Sequence, residues 1–414
     1  MTSRRPLPPP RKRPEGAPLA LAGLRIVDFT RILAGPVATQ MLADFGAEVI
    51  KIESFAGDDS RVYLPPDLAG EGAFYLSANR NKRSIALDLK HPEGCRIARE
   101  LIGKADILAE NFSNGVMERF GLGYEQLAAG HPRLIYCSLS GYGRDDDAAT
   151  PRTGFDAMFQ AGSGFMSLTG EPDGAPMRTT VPVIDISSAM LAANAVLAAV
   201  VARERLGIGQ HIDVPLFDVA ISALGYFGLM FLISGDSPGR LGNRAALSTP
   251  SDVYQASDGP IFLTSGNDRL FRRLVVEGLG RPDLIENPDF ATNGARCRNH
   301  VEITAILSGI FREHTRDHWV ERLGALGVPI APVRTVGEAL DTEEVLSRGL
   351  IADLDHPTAG SVPTLCSPLR MSVTPVADPV APPLLGQHTR TVLADVLGYS
   401  EAAIAAAMMG GGVK

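Results

Sequence analysis

The sequence predicts an α/β protein, with a Rossmann-like parallel sheet in a large domain and a smaller α+β domain entered late in the chain. Three observations support this. Strand-like and helix-like patterns alternate through the first 140 residues, long apolar helical runs follow them, and beyond about residue 250 the chain becomes more charged and hairpin-like.

Leu24–Phe29 (LRIVDF) reads as the first strand. Thr30–Pro36 turns into a helix reaching about Phe45, with Pro36 suited to a first helical turn. Further strands are predicted at Glu48–Glu53, Ser84–Asp88, Asp106–Ala109 and Leu134–Leu139, with helical patterns at 93–104 and 115–129. Residues 187–206 form a long apolar helix, His211–Pro215 a strand, and 216 to about 233 another apolar helix. The Ala-rich run 189–202 is too short to span a bilayer and 216–233 carries Asp218, so both read as buried core helices, with no membrane partner.

The Gly- and Pro-rich stretch 234–250 marks a boundary. Beyond it lie a hairpin at Val253–Ser265, a charged helical region to about Leu326, short strands between 350 and 374, and a helix at 389–408. The expected division is a large domain at 21–233, a small domain at 234–335, and a return to the large domain at 336–414. Residues 1–20, rich in Pro and basic side chains without the apolar stretch of a signal peptide, read as a disordered tail.

Composition narrows the function. Charged residues at 21% and hydrophobic residues at 45% suit a globular chain, and a formal net charge of −8 argues against nucleic-acid binding. Cys95, Cys137, Cys297 and Cys366 are scattered, without metal-like pairing or a disulfide framework, and a reducing cytoplasm is the expected setting. No Gly-x-Gly-x-x-Gly follows the first strand and no Walker-type Gly-Lys-Ser/Thr occurs, so the dinucleotide and P-loop fingerprints are absent. His314 and His318 lie four apart on a predicted helix, but neighbouring Glu313, Arg316 and Asp317 read as a solvated face, and no metal is expected.

The stretch Thr169–Pro176 (TGEPDGAP) is the centre of the chemical reading. Pro172 presets a turn and Gly174 relieves strain beside it, which puts the Asp173 carboxylate at a loop tip. Upstream, Gly162-Ser163-Gly164 offers backbone N–H groups that approach a ligand closely. A carboxylate nucleophile beside such donors is what acyl transfer through a covalent intermediate needs, although the same residues also make an ordinary turn. Asn79–Ser84 (NRNKRS) reads either as a phosphate grip or as a solvated basic loop. Glu110-Asn111-Phe112-Ser113 follows a strand end, where ligands collect on open α/β sheets, and Arg119 lies a turn or two further on. Asp156 and Asp185 are either acid/base groups or helix caps.

Taken together, Leu24–Pro36 (LRIVDFTRILAGP), Gly46–Glu53 (GAEVIKIE), Asn79–Asp88 (NRNKRSIALD), Glu110–Phe112, Gly154–Gly164, Thr169–Pro176, Gly207–Val214 (GIGQHIDV) and Leu384–Thr389 (LLGQHT) resemble the class III CoA-transferases, the family of formyl-CoA transferase and carnitine CoA-transferase. The resemblance covers nearly everything from about residue 21 onward. It implies a Rossmann-like large domain with a small domain, in two ring-like subunits threaded through each other as a homodimer. It implies Asp173 as nucleophile, and coenzyme A, as free CoA or acyl-CoA substrate and not as a bound cofactor, contacted by Arg31, Leu33, Ala34, Leu87, Asn111, Phe112 and Arg119. Lys82 and Arg83 fall in a motif close to that site. The partners implied are an acyl-CoA donor and a carboxylate acceptor.

The expected chemistry is CoA transfer through aspartyl anhydride and aspartyl-CoA thioester intermediates, with the Gly162–Gly164 amides holding each oxyanion. The sequence departs from the pattern at several places. Ser140 stands where formyl-CoA transferase has a CoA-contacting lysine, Leu33 stands where it has a glutamine, that enzyme's small-domain glycine loop has no counterpart, and Asp145-Asp146-Asp147 is unusually acidic. Oxalate and formyl-CoA are therefore poor guesses for substrates. Two alternatives remain: a 2-methylacyl-CoA racemase, for which Phe155 stands where that group carries a histidine, and a non-catalytic CoA-binding protein.

Overall fold

The structure, a computed structural model, describes residues 6–144, 152 and 154–414, so Asp145-Asp146-Asp147 lie outside the described residues. Contacts divide the chain into two compact units. One comprises Met1–Phe165, Thr179–Gly228 and Glu343–Lys414, and the other Met166–Arg178 and Leu229–Thr342, so the Asp173 turn belongs to the second unit.

The first unit is built on six parallel strands: β1 Arg25–Asp28, β2 Glu48–Glu53, β3 Lys82–Ala86, β4 Ile107–Glu110, β5 Ile135–Ser140 and β6 His211–Pro215. Their order across the sheet is β3-β2-β1-β4-β5-β6, every neighbouring pair parallel. Central strands read as continuous apolar runs because both faces are covered. One face packs α1 (Ala34–Asp44) and the long helix α2 (Val183–Leu206), whose Ala189, Ala192, Ala193, Val196 and Ala199 join the core. The other face takes Pro92–Ile102 and the C-terminal helices Thr389–Asp395 and Glu401–Met409 through Ile97, Leu101, Val392, Leu393 and Ile404. α2 ends at Gly207, which adopts φ +78 and closes the helix with an N–H bond to the Arg203 carbonyl.

Several expectations are corrected. The helix predicted at 115–129 is two short helices, Val116–Arg119 and Tyr124–Ala128, divided at Gly121 with φ +68. The helix at 389–408 is likewise divided at Gly398, φ +70. Residues 6–20 are docked rather than disordered. Leu7 N–H donates to Asp353 at 2.9 Å, Asp353 N–H to the Pro8 carbonyl at 3.1 Å, and Arg13 N–H to Asp378 at 2.7 Å. The apolar run after β6 is no single buried helix. It breaks into Leu216–Ser222 and Gly225–Ser234, and the latter has no buried residue, with Leu229, Phe231, Leu232 and Ile233 exposed.

In the second unit, strands Ser251–Ala256, Gly259–Thr264 and Ile330–Pro332 form an antiparallel sheet, with the predicted hairpin as its first two members. Tyr254, Ile261, Leu263, Phe271, Phe311, Trp319 and Leu323 fill its core. His314 and His318 stack on each other with ring centroids 4.0 Å apart.

A buried ionic network fixes the C-terminal end of β1. Asp28 accepts hydrogen bonds from Thr30 N–H (2.9 Å), Thr30 Oγ1 (2.6 Å), Thr39 Oγ1 (2.7 Å) and Lys82 Nζ (3.0 Å). Lys51 Nζ bridges the Thr30 carbonyl (2.7 Å) and Asp58 (2.9 Å). Burial works against the Asp28 carboxylate, but Lys82, Lys51 and the two hydroxyls outweigh it and hold its pKa below the usual range. Asp58 is likewise held at about 2 despite burial, chiefly by Lys51. All four of these side chains are fully buried. Removing one partner strands a charge, so Lys82→Met is expected to lower unfolding stability by about 3–5 kcal/mol, and adding Asp28→Asn should restore part of it. Denaturant melts of the three variants check this, and a Lys82→Met protein as stable as wild type would contradict it.

Candidate active site

The order 3-2-1-4-5-6 reverses direction between β1 and β4, and in open α/β sheets ligands bind beyond the carboxyl ends of the two strands at such a point. The loops leaving β1 and β4 do meet there. Asn111 accepts from Arg31 N–H and donates its side-chain N–H to the Arg31 carbonyl, each at 2.8 Å, so one side-chain amide clasps the backbone of the other loop. The Arg31 guanidinium lies 5.1 Å over the Phe112 ring and 3.4 Å from Asp59. Arg31, Leu33, Ala34, Asn111 and Phe112, all singled out by the sequence, are thus gathered in one cradle.

Its backbone is unusual. Ile32 holds φ +70, an outlier for a β-branched residue, and its N–H is anchored to Asp58 at 3.1 Å. Leu33 provides no side-chain hydrogen bond to cap α1, and Pro36 in the first turn carries no N–H that would need one. Gly35 is needed for close packing: a Cβ there would lie 2.3 Å from the Thr30 Cβ.

A cleft of about 170 Å³ opens from this cradle, lined by Arg31, Leu33, Asn111, Ser140, Phe155 and Asp185. The β4 loop is braced from behind, since Glu110 pairs with Arg144 and accepts from Phe112 N–H at 2.9 Å. Ser140 is committed to Asp213 (2.9 Å) and to Gly143 N–H (3.1 Å). Asp185 does not cap its helix. Asp156 takes that role, accepting from Ile184 N–H at 2.7 Å and Asp185 N–H at 3.1 Å. Burial, with the Asp156 charge adding to it, pushes the Asp185 carboxyl up to about 7.

Other predicted residues sit elsewhere. Lys82 is sealed under the cradle, its ammonium bonded to Asp28, the Pro36 carbonyl (2.9 Å) and Asn79 (3.0 Å), so it supports the turn instead of gripping a phosphate. Arg83 pairs with Glu48 at 2.7 Å and Asp395 at 3.2 Å. Leu87 is buried and bridges to Val413. Arg119 is exposed at the end of its short helix. Gly162 closes the helix Asp156–Gly162, and Ser163 N–H donates to the Phe159 carbonyl at 3.0 Å, so these two amides are already committed and do not form the expected oxyanion site. Gly164 leaves the helix in a left-handed conformation, φ +89.

In the second unit, Glu171-Pro172-Asp173-Gly174 is a hydrogen-bonded turn, with Gly174 N–H donating to the Glu171 carbonyl at 3.0 Å. Pro172 occupies the second position and Asp173 the exposed third. Arg240, a residue the sequence reading missed, clamps the turn by donating to the carbonyls of Glu171 (3.1 Å), Pro172 (3.3 Å) and Gly174 (2.6 Å). Nothing local in the sequence pairs positions so far apart.

Fold and cradle together define a doubly wound α/β protein with a candidate ligand site at the strand-order switch point and without the dinucleotide fingerprint. Residues 21–389 match the profile of CoA-transferase family III, and the chain belongs to that family. Succinyl-CoA:glutarate CoA-transferase of Mus musculus is 38% identical over 385 residues, 93% of this chain and 88% of that one. Succinate–glutarate CoA-transferase of Agrobacterium fabrum is 40% identical over 384 residues, covering 91% and 95%. The crystal structure of a CaiB/BaiF family protein from Brucella suis matches with a TM-score of 0.82 at 37% identity, covering 92% of this chain and all of that one. The chain is therefore a family III CoA-transferase.

The high pKa of Asp185 carries a stability consequence. A carboxyl raised in the folded state favours folding while protonated, and that contribution is lost as pH rises from about 4 through about 7. Asp185→Asn is expected to melt above wild type at pH 8, by roughly 2–4 °C for each kcal/mol relieved, with the gap closing toward pH 5. Thermal melts across that range check it, and a gap independent of pH would contradict it.

Proposed function

We propose that Asp173 carries the acyl group and the CoA thiol in turn, and that the donor is a dicarboxylyl-CoA. The observation that bears most weight is the turn itself: an exposed carboxylate on a loop tip whose backbone is clamped by Arg240 at three carbonyls. A fixed nucleophile of this kind saves orientational entropy in the attack.

Asp173 attacks the donor thioester carbonyl, the C–S bond breaks, and CoA thiolate leaves a mixed anhydride. The thiolate attacks the aspartyl carbonyl, releasing the donor acid and forming an aspartyl-CoA thioester. The acceptor carboxylate displaces the thiolate to give a second anhydride. The thiolate then attacks the acceptor acyl carbonyl, which frees the new acyl-CoA and regenerates the aspartate. Each step exchanges one anion for another, so no general base is required. The Arg31–Ala34 turn, Asn111 and Phe112 hold CoA, and the uncapped start of α1 takes an anionic group of the nucleotide.

Arg31 is exposed, lies over the Phe112 ring and makes one long ion pair, to Asp59 at 3.4 Å, so its guanidinium is available to exchange that pair for the distal carboxylate of a dicarboxylyl donor. The names of the mouse and Agrobacterium relatives, both succinate–glutarate transferases, point the same way. Racemisation is the weaker reading. Burial and the Asp156 charge raise the Asp185 carboxyl to about 7, but Phe155 lining the same cleft cannot carry a proton, and a racemase needs paired bases.

One kinetic experiment tests the nucleophile and the donor class together. Asp173→Ala should abolish transfer with every donor while CoA still binds. Arg31→Ala should lose about tenfold or more on succinyl-CoA, the loss expected for one charge-assisted contact, and far less on acetyl-CoA. Turnover by Asp173→Ala would contradict the mechanism, and equal losses on both donors would contradict the role of Arg31.

We also propose an interlocked homodimer. Large apolar side chains are exposed in both units, Met190, Leu191 and Val201 in the first, Leu229, Phe231, Leu232 and Ile233 in the second, and an exposed set of this kind calls for a partner surface. Light scattering should give twice the chain mass and no dissociation on dilution, and a monomer would contradict it.

A further inference from the structure

The first unit contains a second cavity, of about 380 Å³, that the transfer reaction does not use. It lies at the Asp44 end of α1, whereas the CoA cradle lies at the Leu33–Ala34 end, roughly 15 Å away along an eleven-residue helix. Its floor is Asp44 and Arg80, a bidentate pair in which Arg80 Nε lies 2.9 Å from the carboxylate and Nη1 donates to the Leu365 carbonyl at 3.0 Å. That pair is internally neutral.

Around it stand Arg11, Lys12 and Arg13 from the docked N-terminal segment and Arg370 from the wall. Among the described residues none of these four makes an ion pair. Arg370 donates only to the carbonyls of Ser367, Leu369 and Arg348, and the Arg13 guanidinium only to the carbonyl of Ala17. Asp378, the other nearby acid, accepts the Arg13 N–H at 2.7 Å. Four unpaired cations converge here on a chain whose formal net charge is −8. Met371, Pro375 and Val376 add an apolar wall.

A solvated basic loop would not look like this. The N-terminal segment is held by Leu7, Pro8 and Arg13 backbone bonds, and Arg11 lies against Gly349, where an added Cβ would meet its Cβ at 3.5 Å. Cations confined around a concavity raise the local potential, and the Arg forks match planar or tetrahedral oxyanions. We propose that this cavity binds a small organic polyanion bearing two or more phosphate or carboxylate charges, separately from the acyl-CoA site.

Titration calorimetry on the full chain tests this with inorganic pyrophosphate and with succinate, each in the absence and presence of saturating CoA. At least one probe is expected to bind once per chain and to keep its affinity when CoA is saturating. Tighter pyrophosphate binding assigns a phosphorylated ligand, and tighter succinate binding a dicarboxylate. The double variant Lys12→Glu/Arg370→Glu should weaken that probe about tenfold or more, as expected when charge-assisted contacts are lost, while its CoA-transfer rate without added anion matches wild type and shows the fold intact. Binding that CoA displaces, binding unchanged in the double variant, or no binding of either probe at millimolar concentration would overturn the proposal.

Discussion

Two buried ion pairs, Lys82 with Asp28 and Lys51 with Asp58, are the constraint on which the rest of the first unit depends. Pairs sealed from water seldom add stability, because each charge loses its hydration. What these pairs provide is position. Lys51 holds the Thr30 carbonyl, Asp28 holds the Thr30 N–H and hydroxyl, and Asp58 holds the Ile32 N–H, so two residues of the β1 turn, Thr30 and Ile32, are tied down from below. The positive φ of Ile32 persists because the network over-determines it. Arg31 then faces Asn111, and α1 begins without a side-chain cap.

On the proposed mechanism the cradle holds CoA and the clamped turn carries the nucleophile. The cradle belongs to the sheet, where the strand order reverses and two loops come together. The turn belongs to the second unit, where the side chain of Arg240 does for Asp173 what Lys51 and Asp58 do for Ile32. In both places a buried or clamping cation orders the backbone, while the Arg31 and Asp173 side chains stay exposed. A scaffold of this kind suits a reaction whose every step is the attack of one anion on one carbonyl, since positioning is most of what such a reaction asks of the protein.

Much of this was legible in the residues. Strand–helix alternation anticipated the parallel sheet, with β2 and β6 at their predicted limits. Pro172 and Gly174 announced the Asp173 turn, and Asn111-Phe112 announced the strand-end loop. The failures share a cause. Arg and Lys in NRNKRS look alike as ligand grips and as internal braces, and only the fold shows that Lys82 points inward to Asp28. Gly162 and Ser163 looked like free donors because helix membership, which commits their amides, is decided by packing around Phe159. The N-terminal segment looked disordered because its partners, Asp353 and Asp378, lie more than three hundred residues away. Asp185 showed no sign of its raised pKa, which depends on burial and on the approach of Asp156.

The central claim is that one carboxylate, Asp173, becomes covalently linked during turnover. The most direct measurement is mass spectrometry of the peptide containing that residue after incubation with acyl-CoA, followed by trapping with hydroxylamine. Nucleophilic attack by hydroxylamine on an aspartyl thioester or anhydride would leave a hydroxamate on Asp173 and release CoA or the acid. The account predicts that modification on Asp173 alone, dependent on acyl-CoA. An unmodified Asp173, or a hydroxamate formed on another carboxylate, would contradict it.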